Sequence, residues 1–191
     1  MNRLMSEPPR APPGRMRGRR VGAAAGDGGP AVGVRRATRT GWVPAPVALR
    51  RWTTVALGAR ARGCELVLLV VGPRRIRALN RRYRGQDRPT NVLSFPAATA
   101  WHAAPRSAHG RRHLGDIVIC PQVLRREAQQ QGKAARAHWM HLYIHGVLHL
   151  LGHDHARPAQ AQRMERREVR ALRILGVANP YLSPRHRGRS H

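Results

Sequence analysis

The sequence contains few acidic residues, almost no lysine and few aromatic side chains. Only 9 of its 191 residues are Asp or Glu, against 36 Lys or Arg, and the formal net charge is +27. Lys133 is the only lysine. An excess of this size favours a polyanionic partner such as nucleic acid, because each phosphate contact releases counterions. A coding bias towards Arg, Ala, Gly and Pro at solvated positions is the alternative explanation.

Cysteine and long apolar runs are also scarce. Cys64 and Cys120 are far apart and form no Cys-x-x-Cys pair, which excludes a disulfide framework and a zinc ribbon and indicates a reducing compartment. The sequence has no run of about 18 apolar residues that would span a membrane. Its N-terminus lacks the continuous apolar segment of a secretory signal. We therefore expect a cytoplasmic protein without a membrane partner.

The composition divides the chain into three parts. Residues 1–30 are rich in Pro, Gly, Ala and Arg without an apolar period, so they cannot bury enough surface to offset the entropy of ordering, and we expect disorder. Residues 31–182 are sufficient for one domain with a single core. Residues 183–191 are predicted to be a basic tail.

Hydrophobic patterning predicts strands and helices within the domain. The predicted strands cover residues 31–38 (at an edge), 64–71 (central, covered on both faces), 91–95 and 114–120. The predicted helices cover residues 43–57, 73–83, 121–131, 137–151 and 158–175. The buried carboxylate of Asp116 needs a partner, for which Arg84 and the histidines are candidates. Glu165 and Glu168 are expected on the outer face of the last helix, paired with arginines.

Histidines cluster on the fourth predicted helix. His145 and His149 are four positions apart on one face, close enough to share a metal ion. Gly152 follows the last apolar residue, where a left-handed conformation would end the helix and bring His155 round as a third ligand. Three histidines with an open fourth position are typical of a catalytic zinc site. The spacing therefore predicts a metal site at His145, His149 and His155.

The same spacing has other interpretations. The frame His-x3-His-x2-Gly-x2-His is that of the metzincin proteases, in which a glutamate after the first histidine is the general base. Gly146 occupies that position, which weakens a peptidase interpretation. With 11 histidines in the chain, chance pairs at this spacing are expected, but the complete frame favours a metal. His138, His141 and His153 are expected to support the site or to face solvent.

Three blocks of sequence resemble the YbeY family, and the resemblance extends over residues 31–182. The blocks are residues 80–96, NRRYRGQDRPTNVLSFP, residues 114–120, LGDIVIC, and residues 145–155, HGVLHLLGHDH. Members of that family are metal-dependent bacterial endoribonucleases of ribosomal RNA maturation and ribosome quality control. This chain departs from the family pattern at His153, where a tyrosine is usual, and in loops where arginine replaces acidic residues.

The resemblance implies a fold, a site and a set of partners. The fold is α+β, with a mixed β-sheet flanked by helices and the metal site on a central helix in a three-histidine, zincin-like frame. Zinc would be held by His145, His149 and His155, and Arg84 corresponds to the family's functionally important arginine. The implied activity is single-strand-specific cleavage of RNA. Implied partners are ribosomal RNA and its precursors, with ribosomal proteins or a ribosome-associated GTPase as further candidates; the oligomeric state is not specified.

The chemistry of these residues leaves several routes open. A three-histidine zinc ion can lower the pKa of bound water or polarise a phosphoryl oxygen, and Arg84 can bind a nonbridging phosphate oxygen. The base would be the metal hydroxide, another histidine or the RNA 2′-hydroxyl. A noncatalytic ribosome or RNA-binding factor braced by zinc is the alternative from another class, and a metallopeptidase is the third.

Overall fold

The computed structural model describes residues 19–21, 28–98, 101–153 and 157–182. Its strands are β1 (Arg19–Val21), β2 (Ala31–Arg36), β3 (Cys64–Val70), β4 (Val92–Pro96) and β5 (Arg112–Ile119). Its helices are α1 (Pro46–Leu57), α2 (Pro73–Arg84), α3 (Pro121–Gln130), α4 (Ala135–Leu150) and α5 (Pro158–Ile174). None of the helices in these ranges is long and apolar enough to cross a membrane.

The strands form one mixed sheet in the order β1-β2-β3-β5-β4. β2, β3 and β5 run parallel, whereas β1 and β4 pair antiparallel with their neighbours. The continuous apolar run of β3 lies at the centre, as expected for a strand covered on both faces. The prediction that β2 is an edge strand is wrong, because Arg19–Val21 pairs along it. The rest of residues 1–27 lies outside the described residues, as do 183–191, and the three-part division stays a prediction.

Four of the five helices begin with proline. Pro46, Pro73, Pro121 and Pro158 occupy the first turn of α1, α2, α3 and α5. At that position proline loses no helical hydrogen bond, and its fixed φ already suits the helix. The start of α1 falls at Pro46 rather than at residue 43, since the residue before a proline is pushed out of the helical region.

The helices cover both faces of the sheet. On one face α1, α4 and α5 pack over the larger core, and on the other α2 packs over Leu69, Leu93 and Val118. α4 is the central helix, and most of its residues are buried. Its Tyr143 donates a hydrogen bond of 2.8 Å to Thr53 of α1, and both side chains are fully buried. This architecture confirms the expected α+β class and the mixed sheet flanked by helices.

The apolar side chains of α1 differ in their burial. Leu49, Trp52 and Leu57 are buried, whereas Val47 is 64 % exposed. Val47 lies one position after the proline start, on the outer side of the first turn.

Cys64 and Cys120 are buried free thiols, and burial raises the pKa of Cys64 to about 11. The absence of a disulfide agrees with the sequence.

Candidate functional site

Two histidines of α4 converge one helical turn apart. The Nε2 atoms of His145 and His149 are 3.1 Å apart, and their ring centroids are separated by 4.6 Å with the planes at 80°. The side chain of His145 keeps 23 % of its surface exposed. The helix therefore directs two imidazole nitrogens to one point that solvent can reach, as the four-residue spacing predicted.

The spacing of the two imidazole nitrogens is compatible with a shared zinc ion. Zinc–nitrogen bonds are about 2.0–2.1 Å long, so two ligand nitrogens at a tetrahedral angle lie about 3.3–3.4 Å apart. The observed 3.1 Å between the two Nε2 atoms is close to that value. His155, the third predicted ligand, lies outside the described residues. Within the described ranges no group of three or more His, Cys, Asp or Glu side chains is placed to hold a metal ion, so the complete ligand set stays a prediction.

The end of α4 has the geometry that the sequence predicted. Gly152 has a φ of +83°. Its N–H donates to the carbonyl of His149 at 2.9 Å, and the N–H of His153 donates to the carbonyl of Leu148 at 3.2 Å. This pair of bonds is a Schellman motif, which needs a left-handed residue at the position of Gly152. The motif turns the chain sharply immediately after His149.

A carboxylate supports the histidine pair from behind. Glu168 of α5 is fully buried. Its Oε1 accepts a 2.8 Å hydrogen bond from Nδ1 of His145, and its Oε2 accepts a 3.0 Å bond from Nε2 of His141. The hydroxyl of Tyr181 also donates to Oε2. Burial by itself raises the pKa of Glu168, but the hydrogen bonds from His141, His145 and Tyr181 and the charge of His145 lower it to about 2.

The sequence prediction that Glu168 lies on the outer face of α5, paired with arginines, is therefore wrong. A signal for its true position was present. Met164 and Leu172, both buried, lie four residues before and after it, and side chains at that spacing share one helix face. The four-residue spacing was given less weight than the general rule that charged residues on a helix are solvated.

Arg84 lies at the last position of α2, across a cavity from the histidines. Gly85 ends the helix in the left-handed region, with a φ of +66°, and sends the chain into the loop before β4. The cavity holds about 190 Å³. It is lined by Asn80, Arg84, Gln86, Thr90, Asn91, Val92, Leu93, Ser94, His145 and His149. Thus three of the four predicted site residues share one cavity, and the fourth, His155, is outside the described part.

The polar loop beyond Arg84 is held by its own side chains. Arg77 forms a two-point ion pair with Asp87, with distances of 3.0 and 2.8 Å. The buried amide of Asn80 donates to the carbonyl of Arg88 at 2.8 Å. The amide of Asn91 donates to Glu127 at 2.8 Å. These bonds fix the loop that forms one wall of the cavity, so Asp87 has a structural role here.

Asp116 does not meet the partners expected from the sequence. It lies half-buried on β5, where burial raises the pKa of its carboxyl, while the charges of His113 and Arg35 lower it. The expected partners, Arg84 and the metal-site histidines, line the cavity instead. Asp116 lies beside β3, opposite Val67, in the register of the sheet. The prediction that Asp116 pairs with Arg84 or with the metal-site histidines is therefore wrong.

His138 and His141 precede the pair on α4, and His153 follows the end of that helix. His138 is buried, and its Nε2 is 3.2 Å from Oε2 of Glu127. His141 contacts Glu168 as described above. His153 is partly buried, and burial lowers the pKa of its imidazole, as do the charges of Arg167 and Arg60. Among the residues that the structure describes, Nε2 of His153 has no hydrogen-bond partner.

Gly146 lies where α4 packs against Ile117 and Ser94 of the sheet. A Cβ atom at this position would be 3.1 and 3.2 Å from side-chain carbons of Ile117 and 3.2 Å from Oγ of Ser94. Such distances are closer than ordinary van der Waals contact. The position at which metzincin proteases carry their catalytic glutamate is therefore filled by the sheet, which weakens the peptidase interpretation further.

The comparison with known families decides the relationship of the chain. Residues 48–176 match the family model described as Endoribonuclease YbeY. The chain belongs to the YbeY family. The resemblance inferred from the three sequence blocks is thereby confirmed, and the three blocks contribute Arg84, Ile117 and the two histidines to the site or its floor.

Two relatives illustrate the extent of the YbeY match. The chain is 48 % identical over 133 residues to Endoribonuclease YbeY of Halorhodospira halophila, which covers 70 % of this chain and 84 % of that relative. It is 47 % identical over 143 residues to Endoribonuclease YbeY of Stenotrophomonas maltophilia, which covers 75 % and 88 %. The solution structure of TM1509 from Thermotoga maritima aligns with 78 % of this chain and 99 % of that one, with a TM-score of 0.46 and 20 % identity.

Proposed function

We propose that the chain is a zinc-dependent endoribonuclease that cleaves single-stranded RNA in the maturation and quality control of ribosomal RNA. The relatives' names state the endoribonuclease activity. The observation that carries the proposal is that Arg84 and the converging imidazoles of His145 and His149 line one cavity. A phosphate-binding cation and a pair of metal-ligand side chains are the tools that phosphodiester cleavage needs.

Three histidines would hold the zinc ion. His145 and His149 offer Nε2 atoms 3.1 Å apart, and the turn at Gly152 sends the chain towards His155. Bound there, zinc would supply Lewis-acid chemistry, polarising a phosphoryl oxygen or lowering the pKa of water towards neutrality. The role of the protein is to keep the two Nε2 lone pairs aimed at one point.

Arg84 would bind the scissile phosphate. Its guanidinium presents several N–H donors in one plane, and charge-assisted bonds to a nonbridging oxygen stabilise the negative charge that builds up during cleavage. Thr90, Asn91 and Ser94 add polar side chains to the same cavity, which suit the ribose and base edges of an RNA strand. The preference for an unpaired strand is the part of the proposal that rests on the resemblance to the YbeY family.

Metal analysis combined with a cleavage assay tests the proposal. Purified chain should contain close to one zinc ion and cut a ribosomal RNA precursor, and His149→Ala should lose both the metal and the activity. The matched control is His109→Ala, which removes an exposed histidine of the loop before β5 and should change neither. Metal-free protein that cuts RNA at the wild-type rate would contradict the zinc proposal.

Chelation separates the enzyme from a noncatalytic factor in which zinc only braces the fold. If removal of zinc abolishes cleavage while circular dichroism and RNA affinity persist, the ion serves the reaction. Unfolding on chelation, in a protein that never cuts RNA, would favour the bracing role. The partners proposed are ribosomal RNA precursors, with ribosomal proteins or a ribosome-associated GTPase as further candidates to be sought in pull-down experiments.

A further inference from the structure

We propose that Glu168 is a positioning residue: it fixes the imidazole of His145 for metal binding, and His141 and Tyr181 hold Glu168 in place for that task. The inference deepens the proposed function and rests on its zinc site. It concerns residues of α4, of α5 and of the segment after α5. The geometry of their hydrogen bonds supports it.

The burial of Glu168 requires compensation. Its side chain is 1 % exposed, and a buried carboxylate is costly unless hydrogen bonds replace its water. Three donors surround it: Nδ1 of His145, Nε2 of His141 and the hydroxyl of Tyr181. A carboxylate can only accept hydrogen bonds, so each of these partners must turn an N–H or O–H towards it.

This requirement selects the tautomer of His145. Its Nδ1 carries the hydrogen that points to Oε1 of Glu168, at 2.8 Å. In the neutral ring the lone pair is then on Nε2, the atom that lies 3.1 Å from Nε2 of His149. A metal ion binds only the nitrogen that carries the lone pair, and a carboxylate on the other nitrogen both orients the ring and makes it a better ligand.

Two neighbours keep Glu168 itself in place. His141 is one turn before His145 on α4, and Tyr181 comes from the segment after α5. That segment is anchored: the side chain of Asn179 accepts from the N–H of Tyr181 at 3.0 Å, and Lys133 donates to the carbonyl of Pro180 at 3.0 Å. The ring of His141 meets the ring of Tyr181 edge to face, with centroids 5.5 Å apart. His141 and Tyr181 therefore hold the Glu168 carboxylate from two sides.

A second glutamate–histidine pair, between Glu127 of α3 and His138 of α4, shows what a structural contact looks like. Glu127 meets Nε2 of His138 at 3.2 Å, and Glu127 is 26 % exposed. His138 is two turns before His145 and does not line the cavity. Glu168 differs in that it is fully buried and contacts a histidine whose other ring nitrogen faces the cavity and His149. Because of that difference, we infer that Glu168 orients His145 for metal binding, whereas Glu127 only supports the packing of His138.

Zinc affinity measured by chelator competition tests the inference on the full chain. Glu168→Gln preserves the volume but replaces one acceptor oxygen with an amide donor, and we expect zinc to bind about 10- to 100-fold more weakly. Tyr181→Phe removes one of the bonds that hold Glu168 and should weaken zinc by less. Glu165→Gln is the matched control, because it removes the same charge from the exposed face of the same helix and should leave the affinity unchanged.

A spectroscopic readout separates positioning from simple stability. In zinc-free wild-type protein, ¹⁵N chemical shifts should show His145 with hydrogen on Nδ1, and in Glu168→Gln they should show the other tautomer or a mixture. Zinc-binding wild type with unchanged zinc affinity in Glu168→Gln would overturn this inference alone. Wild type that binds no zinc would overturn the zinc site and the inference together. Should Glu168→Gln fail to fold, Tyr181→Phe decides, and wild-type affinity in that variant would overturn the inference.

Discussion

At the scale of single residues, the cavity concentrates its positive charge in one side chain. Arg84 is the only arginine among the described residues that line it, although the chain is rich in arginine. Other arginines of α2, such as Arg74 and Arg75, are exposed away from the cavity. A specific role for Arg84 is therefore separable by experiment from the general basic character of the protein.

Charge reversal at Arg84 should remove catalysis and leave the fold intact. We expect Arg84→Glu to lower the rate of RNA cleavage about 100-fold or more, since it deletes a donor to the phosphate and adds a like charge. Zinc content and the thermal midpoint should stay at wild-type values, because the side chain is exposed. Single-turnover cleavage, metal analysis and calorimetry provide the measurements.

The control for Arg84 lies on the same helix. Arg74→Glu makes the same charge change at the opposite end of α2, ten positions away, where the side chain is also exposed. Its cleavage rate should fall by no more than a few-fold, through the weaker overall field. Equal losses in the two variants would assign the effect to net charge and remove Arg84 from the reaction.

The site residues differ in how far the sequence could predict them. His145, His149 and Gly152 follow from helix periodicity and C-capping, which depend only on neighbours along the chain. The direction of the Glu168 side chain depends on how α5 is rotated against α4. The general preference of charged side chains for solvent therefore predicted the wrong face for it. His155 lies in a segment outside the described residues, and the zinc content of a His155→Ala variant would test its prediction.

At the scale of elements, the packing of α4 on the sheet sets the floor of the cavity. Gly146 lets the helix approach β4 and β5, and Ser94 and Ile117 lie directly against it. Ser94 also lines the cavity. The distance between helix and sheet therefore affects both the core and the site.

A methyl group at Gly146 should destabilise the protein in spite of its better helix propensity. Alanine gains about 1 kcal/mol in a helix interior, but overpacking a filled core costs about 1–3 kcal/mol. For Gly146→Ala we expect a net loss of roughly 1 kcal/mol in the free energy of unfolding, measured by urea denaturation. A gain in stability would show that the side chain of Ile117 relaxes freely.

Gly33→Ala is the corresponding control in the sheet. A Cβ atom at Gly33 would lie 3.7 Å from a methyl carbon of Val67, an ordinary contact. Glycine weakens a strand interior, so alanine should be neutral or slightly stabilising there. The comparison separates a loss caused by crowding from any general effect of adding a methyl group.

The elements themselves were largely predictable, and their pairing was less so. Proline coincides with three of the predicted helix starts, at residues 73, 121 and 158, and an uninterrupted apolar run marked β3 as central. The position of β2 depends on a partner, Arg19–Val21, whose short basic sequence carries no strand pattern. The order β3-β5-β4 joins segments distant in the chain, and local periodicity contains no information about such pairing.

At the scale of the whole molecule, one exposed helix face concentrates positive charge. α5 presents five arginines, all exposed and mostly spaced three or four residues apart: Arg163, Arg166, Arg167, Arg170 and Arg173. Glu168 points from the opposite side of the same helix into the core. The arginine face thus turns away from the histidine pair, which Glu168 contacts from the buried side of α5.

RNA binding should depend steeply on salt, and the α5 face should account for part of that dependence. Replacing Arg163, Arg167 and Arg170 with Gln should reduce the slope of log affinity against log salt by roughly 0.7 for each phosphate that is no longer neutralised. Fluorescence anisotropy with a single-stranded RNA at several salt concentrations measures this slope. An unchanged slope would mean that these arginines are only solvated, as the compositional bias of the sequence alternatively suggests.

The hydrogen bonds of Glu168 have a consequence for the chain during its synthesis. His145 and His149 leave the ribosome before Glu168, and Tyr181 follows roughly 30 residues after His149, a delay of roughly 2 to 6 s at about 5–20 residues per second. Until Glu168 has been added, the imidazole of His145 lacks the acceptor that we propose selects its tautomer. Under that proposal the nascent chain carries the His145–His149 pair unaligned while it is still attached to a ribosome, and ribosomal RNA is the proposed target of the finished enzyme.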